Sequence, residues 1–583
     1  MIFSDFCEYL TRIESTASRL AITEELAAMY NAVAKDEIEP ASWLLLGRLS
    51  PKYDSLELNF AEKMMMRVLS KFLPAKAGGA EQTDLFGNSK SDNVVAIQEL
   101  YKKMGDLGDV AASLMSEHAG ERTIIEVYNQ LRAVAEASGS GSQEKKLQLM
   151  EVALKGSSPI TAKYIVRISL QNLRLGFSDM TILDALSWAK TGDKSLRPKL
   201  ELAYQMRADI GQLAHTFLAE GESALASVDI ELGVPIAPAL CQRLKTAQEM
   251  IDKMGKVYVE PKYDGTRVLI HISKNGKQWQ IRTFTRNLEE SSGMFPELKT
   301  ALDDINADEV ILDSEAVGYD AENDKLLPFQ QTIQRKRKHD VEETASKIPL
   351  RFFVFDILYK DGKNLLHQPL HDRKKVLEET IQERGTFVRA PYIVTENADE
   401  LRKFHASQLT EGLEGAVIKQ YASEYQPGRR GWSWVKFKEE EGTTGKLTDT
   451  IDCVVMGYYV GQGKRTKFGI GAFLVGVRDE KSGTIRTIAK IGTGLSDEQW
   501  RETAKRCDAL AVKHKPEEYL VDEMLTPNVW VRPQLVVEIA ADEITNSPTH
   551  SAEKALRFPR LVKFRDDKSV EQATTLKELR SMQ

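Results

Sequence analysis

Cysteine is scarce. Four thiols, Cys7, Cys241, Cys453 and Cys507, are spread over 583 residues with no Cys-x-x-Cys pair. Such spacing provides neither a disulfide framework nor a four-cysteine zinc module, and it suits a reducing, cytoplasmic setting. Long apolar runs are missing too: no stretch reaches the roughly 18 residues a membrane span needs, so no membrane partner is expected. The first residues, Met1 to Glu8, have neither the basic start nor the apolar core of a secretion signal. Positive charge is not in excess, with 79 Lys and Arg against 86 Asp and Glu and a net charge of −7. The overall balance does not advertise a nucleic-acid binder, although local basic patches stay compatible with one. No repeat of fixed period is present.

What remains is a globular composition, 42% hydrophobic and 28% charged, on a chain too long for one core. Three domains are expected. Residues 1–225 read as helical. Phe3, Cys7, Leu10 and Ile13 recur at helical spacing, as do Leu20, Leu26, Met29 and Tyr30. Polar, glycine-rich connectors interrupt the pattern at 75–91 and at Ser138–Ser142. Basic residues punctuate the later helices at Lys163, Arg167, Arg174 and Lys190. Pro235 and Pro238 mark a boundary, because proline ends helices and holds the chain extended. Residues 235–440 mix strands with helices. Residues 445–583 carry short strands with glycine turns and one helical insert, Asp497 to about Lys513, a texture that suits a small Greek-key barrel of the oligonucleotide-binding (OB) type.

The central stretch is Val257-Tyr-Val-Glu260-Pro-Lys262-Tyr-Asp264-Gly265-Thr-Arg267-Val-Leu-Ile-His-Ile272. It reads as two short strands joined by a hairpin turn, with Gly265 supplying the positive φ of the turn. Alternation of side chains places Glu260, Lys262 and Asp264 on one side. Spacing alone leaves a bland alternative, a surface lysine in an ion pair.

The stretch resembles motif I, Lys-x-Asp-Gly-x-Arg, of the covalent nucleotidyltransferases: DNA ligases, RNA ligases and RNA capping enzymes. Further motifs follow in that superfamily's order. Thr285-Arg286-Asn287 is similar to the next one, whose arginine holds ribose or phosphate. Asp313-Ser314-Glu315 resembles the Asp-Gly-Glu of motif III, with Ser314 in place of glycine. Phe355 lies in a hydrophobic strand resembling motif IIIa, whose aromatic ring stacks on the purine. Glu411-Gly-Leu-Glu414-Gly415-Ala-Val-Ile-Lys419 resembles motif IV, whose acid serves the metal. Arg429-Arg430-Gly-Trp-Ser-Trp434-Val-Lys436-Phe-Lys438 resembles motif V, and Arg565-Asp-Asp-Lys568 resembles motif VI. Each motif alone is weak beyond the first, and their common order makes the signal strong. The segment around Leu173-Arg174-Leu-Gly176 looks like a stretch in the helical DNA-binding domain of archaeal and eukaryotic-type DNA ligases. The whole chain thus resembles an ATP-dependent DNA ligase of that three-domain type: an all-α N-terminal DNA-binding domain, an α+β nucleotidyltransferase domain and a C-terminal OB-fold β-barrel.

The resemblance implies a three-step reaction. Lys262 takes AMP from ATP and releases pyrophosphate, AMP passes to the 5′-phosphate of a nick, and the 3′-hydroxyl displaces AMP. Lysine's ordinary pKa near 10.4 keeps it protonated, so a neighbouring cation or desolvation must lower it. ATP-binding roles fall on Glu260 (as a base-contacting acid), Arg267, Arg286, Glu315, Phe355, Arg430, Lys436, Lys438, Arg565 and Lys568. Glu315 and Glu414 can hold Mg²⁺, with Mn²⁺ as an alternative, since hard cations prefer oxygen ligands. Arg174 is the candidate DNA contact. Motif VI is expected to act on the leaving pyrophosphate, which requires the barrel to close over the nucleotide for the first step. Nicked duplex DNA is the expected partner, of a nucleoid-associated monomer. No convincing clamp-binding peptide is found, and a sliding clamp stays open as a partner.

Rival readings account for less of the chain. An RNA ligase or capping enzyme would leave the helical N-terminus unexplained. An NAD-using ligase needs a zinc module that these cysteines cannot form. A DNA-binding scaffold with a dead transferase domain sits poorly with a complete set of lysines and acids. Gly457–Lys464 has the wrong gap for a P-loop, and no Ser or Thr follows its lysine.

Overall fold

The computed structural model describes the chain except residues 55, 75–81, 84–88, 91, 117–119, 277, 321, 324, 333–334, 336–343, 346, 429–430, 439–449, 462, 542 and 583. It forms two compact units, Met1–Lys438 and Glu439–Gln583. The helical segment and the central strands, which read from sequence as separate domains, therefore share one unit.

The helices follow the apolar spacing. Helix Phe3–Ser15 buries Phe3, Phe6, Cys7, Leu10 and Ile13 on one face, and Ile124–Glu136 starts from a Thr123/Glu126 capping box that satisfies its first amides. Within the expected 75–91 connector, Gln82–Thr83 pairs with Ser89–Lys90 as a minimal antiparallel ribbon; most of the rest lies outside the described residues. Two of the basic residues of the later helices are held in ion pairs. Arg167 is buried and pairs with Glu14, Asp106 and Asp109, while Lys163 joins Glu14 and Asp109.

A segment from Val228 to Cys241 leads from the helices into the sheets, and both sides hold it. Ala237 N–H donates to Gln205 O at 2.8 Å, and Gly233 N–H donates to His271 Nδ1 at 3.1 Å. Arg282 donates to Gly233 O at 2.8 Å and to Tyr53 O at 2.9 Å.

The central strands are, in chain order, β1 (Val257–Pro261), β2 (Thr266–Asn275), β3 (Gln278–Thr285), β4 (Glu309–Asp320), β5 (Leu350–Lys360), β6 (Ile393–Thr395), β7 (Ala416–Gln420) and β8 (Trp434–Phe437). They build two sheets. One runs β5-β4-β2-β3 and the other β6-β1-β7-β8. The hairpin expected at motif I is therefore corrected: β1 and β2 belong to different sheets, and residues 262–265 cross between them. β1 pairs with β6 and β7, and β2 pairs with β3 and β4. Gly265 is not at positive φ; a Cβ there would lie 2.5 Å from Ala316 O, so its requirement is close backbone passage rather than turn geometry.

Each sheet has its own core. Val268, Ile270, Ile272, Val310, Leu312, Phe352 and Val354 back the first. Val257, Val259, Ala416, Ile418, Val435 and Phe437 back the second, beneath helices Ala247–Met254 and Ala398–Thr410. On its opposite face the first sheet adds a further core, where Leu269, Phe284, Ile311 and Leu358 pack with Ile236 and Ala239.

In the C-terminal unit the main strands are β9 (Ile451–Val460), β10 (Ile470–Arg478), β11 (Ile485–Ile491), β12 (Val536–Ala540) and β13 (Arg560–Phe564). Pairing runs β11-β10-β9-β12-β13, all antiparallel. Helix Asp497–Ala509, capped by Ser496 and Gln499, supplies Trp500 and Cys507 to the core it shares with these strands.

Candidate active site

Register decides which side chains meet. Across the second sheet Glu260 of β1 lies opposite Val417 of β7, which lies opposite Lys436 of β8; one step along, Tyr258, Lys419 and Trp434 align. Directly opposed residues share a face, so Glu260, Val417, Lys419, Trp434 and Lys436 all stand away from the core. The β1–β7 ladder continues past the strand ends. Lys262 N–H donates to Gly415 O at 2.9 Å, and Glu414 N–H donates to Lys262 O at 3.1 Å. Gly415 sits at φ +119, and a Cβ on it would meet Phe437 O at 2.2 Å. Lys262 and Glu414 are thus cross-linked through the backbone, and their side chains meet: Lys262 Nζ is 2.6 Å from Glu414 Oε2.

Lys438 Nζ reaches the same oxygen at 2.6 Å. Burial raises the Glu414 carboxyl, yet the two ammonium groups, Lys262 foremost, pull it down to about 2. The Lys436 ammonium is lowered by burial and then by the neighbouring Lys438.

From the first sheet, Arg267 and Glu315 lie opposite each other and Glu315 lies opposite Phe353. Arg267 grips Asp313 with two bonds, Nε–Oδ1 3.0 Å and Nη2–Oδ2 2.6 Å, and donates to Ala239 O at 2.7 Å. Tyr425 O–H also donates to Asp313, at 2.8 Å. Glu315 is half-buried. Its carboxyl is pushed up to about 7, chiefly by burial, with Asp313 and Glu414 adding repulsion against the pull of Lys262 and Arg267. The β4–β5 register shifts between Asp313 and Ser314, which pair with Asp356 and Val354 and leave Phe355 as the extra residue of a bulge. Bulges re-aim side chains beside functional sites, and Phe355 joins the cleft wall.

These faces enclose a cleft of about 540 Å³. Its lining includes Glu260, Lys262, Arg267, Arg286, Glu315, Phe355, Lys436 and Lys438 from the expected set. It also includes Cys241, Val417, Lys419 and Trp434, which the sequence reading left out. One part is cationic, around Lys262, Lys436, Lys438 and Arg286. Another is a slot walled by Phe355, Trp434, Val417 and Ala390. A ring system with a charged tail fits that division.

Arg430 falls outside the described residues. Arg174 is braced on Asp106 at 3.2 Å and on Gly105 O at 3.0 Å, in the helical part. Arg565 and Lys568 belong to the C-terminal unit, where both hold Asp452, at 3.0 and 2.6 Å; Arg565 also grips Asp567 with two bonds.

A divalent cation fits the donor set. Glu315 and Glu414 are oxygen donors close enough for each to feel the other's charge, and converging carboxylates suit a hard cation. No group of three or more His, Cys, Asp or Glu side chains placed to hold a metal ion occurs among the described residues.

A helical segment, two facing sheets that present a lysine among cations, and a β-rich unit together define a nucleotidyltransferase of ligase type. The family model "ATP dependent DNA ligase domain" matches residues 238–438, "DNA ligase N terminus" matches 2–187, and "ATP dependent DNA ligase C terminal region" matches 466–568. The chain is 38% identical to a probable DNA ligase of Dictyoglomus turgidum, over all of this chain and 97% of that protein. It is 36% identical to DNA ligase 1 of Methanosarcina acetivorans, over all of this chain and 99% of the relative. Among solved structures, one titled Pmar-Lig_PreS3 is similar in fold, with TM-score 0.55 and 18% identity over 96% of this chain and 99% of that one. The chain belongs to the ATP-dependent DNA ligases, enzymes whose general function is sealing nicks in duplex DNA.

Proposed function

We propose that Lys262 is the nucleophile that carries AMP between ATP and a nick. The observation that carries this reading is the placement of its amine, 2.6 Å from Glu414 and at the cationic part of a cleft that also joins Lys436, Lys438, Arg286 and Glu315. The purine would enter the slot between Phe355 and Val417, with Glu260 at its floor. Its triphosphate would lie along Lys262, Lys436 and Lys438, whose charges offset those of the phosphates.

In the first step the Lys262 nitrogen sheds a proton and bonds to the α-phosphorus as the bond to the pyrophosphate oxygen breaks. Nucleotidyl transfer of this kind is mostly positioning and charge neutralisation. Backbone bonds from Lys262 to Gly415 and Glu414 fix the amine's approach. Glu315 and Glu414 would hold Mg²⁺ or Mn²⁺, which supplies charge neutralisation at phosphorus when bound. The second and third steps pass AMP to the 5′-phosphate and then expel it as the 3′-hydroxyl closes the backbone. Arg286 serves the ribose or phosphates, Arg267 supports the slot from its bond to Asp313, and Arg430 belongs to the same binding set. Arg565 and Lys568 act on the leaving pyrophosphate, and Arg174 serves the helical domain's grip on DNA. The protein acts as a monomer.

Intact mass after incubation with ATP and Mg²⁺ tests the reading. The wild-type chain should gain one AMP, whereas Lys262→Ala and Lys262→Arg should gain none, since guanidinium stays protonated. An AMP adduct on Lys262→Ala overturns it.

A further inference from the structure

The floor of the slot holds more charge than stability requires. Glu260 is 2% exposed, and each of its oxygens meets a different ammonium: Lys374 Nζ lies 2.5 Å from Oε1 and Lys419 Nζ lies 2.6 Å from Oε2. Both lysines are buried as well, at 3% and 1% exposure. They arrive from opposite sides. Lys374 comes from helix Leu370–Thr380, with its ammonium over the rings of Tyr258 and Tyr392. Lys419 comes from β7, with its ammonium 4.3 Å from the Phe355 ring centre and 4.2 Å from that of Trp434, the two aromatic walls of the slot. Beside them Arg373 grips Asp356 with two bonds, both side chains fully buried.

Buried ion pairs are weak contributors to stability, because desolvation offsets their attraction. Three buried cations against two buried anions leave one positive charge in excess, which a site kept only for packing would have no reason to hold. A carboxylate is an acceptor only when ionised, and gains a donor when protonated. Two ammonium groups, one per oxygen, fix where the lone pairs of Glu260 point.

We propose that Lys374 and Lys419 are positioning residues that set purine selectivity through Glu260. Together they make the slot floor a rigid acceptor matched to a purine with an exocyclic amine at C6, and mismatched to one with a carbonyl there. The inference rests on the reading of this cleft as the nucleotide site with Glu260 toward the base. Adenine meets the carboxylate with an N–H donor, whereas hypoxanthine meets it with a second acceptor, leaving two acceptors opposed in a dry pocket. Removing one lysine leaves the carboxyl free to turn, so its oxygens are no longer held against the C6 position and a carbonyl there is penalised less.

The test compares rates of lysyl-nucleotide adduct formation with ATP and with ITP, in separate reactions followed by intact mass, on the full chain. The wild type should prefer ATP. Lys374→Met and Lys419→Met, made singly so that one poorly folded variant does not decide the matter, should each narrow the ATP-to-ITP ratio by about tenfold or more. Loss of rate with both nucleotides at an unchanged ratio, in a variant whose circular dichroism matches wild type, overturns the inference and leaves the lysines as packing elements. A wild-type chain that forms an adduct with ATP and ITP equally also overturns it, while leaving the nucleotide site intact. A wild-type chain that forms neither adduct overturns the nucleotide-site reading and this inference with it.

Discussion

Lys262 and Glu414 are joined twice, by the ion pair at 2.6 Å and by the Glu414 N–H bond to the Lys262 carbonyl at 3.1 Å. The side-chain contact is therefore a consequence of backbone register and not of two mobile chains finding each other. Removing the acid leaves Lys262 and Lys438 as adjacent cations with no counter-charge in the cleft from that position.

Glu414→Ala and Glu315→Ala should each lower AMP-adduct formation by about two orders of magnitude or more, with the fold retained. Mg²⁺ or Mn²⁺ should be required throughout. Adduct formation at the full rate in excess chelator would remove the metal from the mechanism.

The Arg267–Asp313 pair carries a second expectation. Asp313→Ala strips a half-buried guanidinium of its bidentate partner, and breaking a buried pair from one side costs about 3–5 kcal/mol. Urea unfolding should show that loss, together with weaker adduct formation, because the Arg267 bond to Ala239 helps hold the cleft wall. A shift under about 1 kcal/mol would place the pair among ordinary surface bridges.

His271 offers a pH test. Burial, and then the charge of Arg282, push its ring from an ordinary 6.5 down to about 3. The folded ring stays neutral and accepts the Gly233 N–H, while an unfolded ring would take up a proton below 6.5. Its contribution to stability is therefore complete above 6.5 and is lost as pH falls from there toward 3, with a slope of up to about 1.4 kcal/mol per unit. Imidazole NMR on the folded protein at pH 5 should show a neutral His271; a ring titrating near 6.5 contradicts this.

Lys568→Ala and Arg565→Ala should block self-adenylylation and largely spare the sealing of a nick that is already adenylated. Each half-reaction is measured separately on each variant. Equal loss of both steps would point instead to the Asp452 cluster as a structural brace of the C-terminal unit.

Much of the site was legible because its residues sit in short, contiguous motifs, and period-two alternation places them on one face. That same alternation carries a signal for Asp313, two residues before Glu315 on β4 and on its side of the sheet. Trp434, two before Lys436, was equally readable. Lys374 was not: it reaches Glu260 from a helix whose sequence shows no trace of that pairing, and only the packing of helix on sheet brings them together. The motif I hairpin failed for a related reason. Asp264-Gly265 is a turn signal in sequence only, because strand pairing is a long-range choice: β1 pairs with β6 and β7, and β2 with β3 and β4. The Phe355 bulge depends on a register shift between β4 and β5, which no single strand reveals.

The segment from Val228 to Cys241 constrains how this protein can be taken apart. A catalytic fragment cut after the Pro235–Pro238 boundary, starting at Cys241, would lack the Ala239 carbonyl that Arg267 donates to and the Ala239 N–H that donates to the Tyr425 hydroxyl at 3.0 Å. One starting near Val228 would keep both and lose ties to Tyr53, Gln205 and Arg207. Minimal versions of the enzyme therefore need to begin before Ala239, in a proline-bounded stretch that looks, in sequence, like dispensable connection.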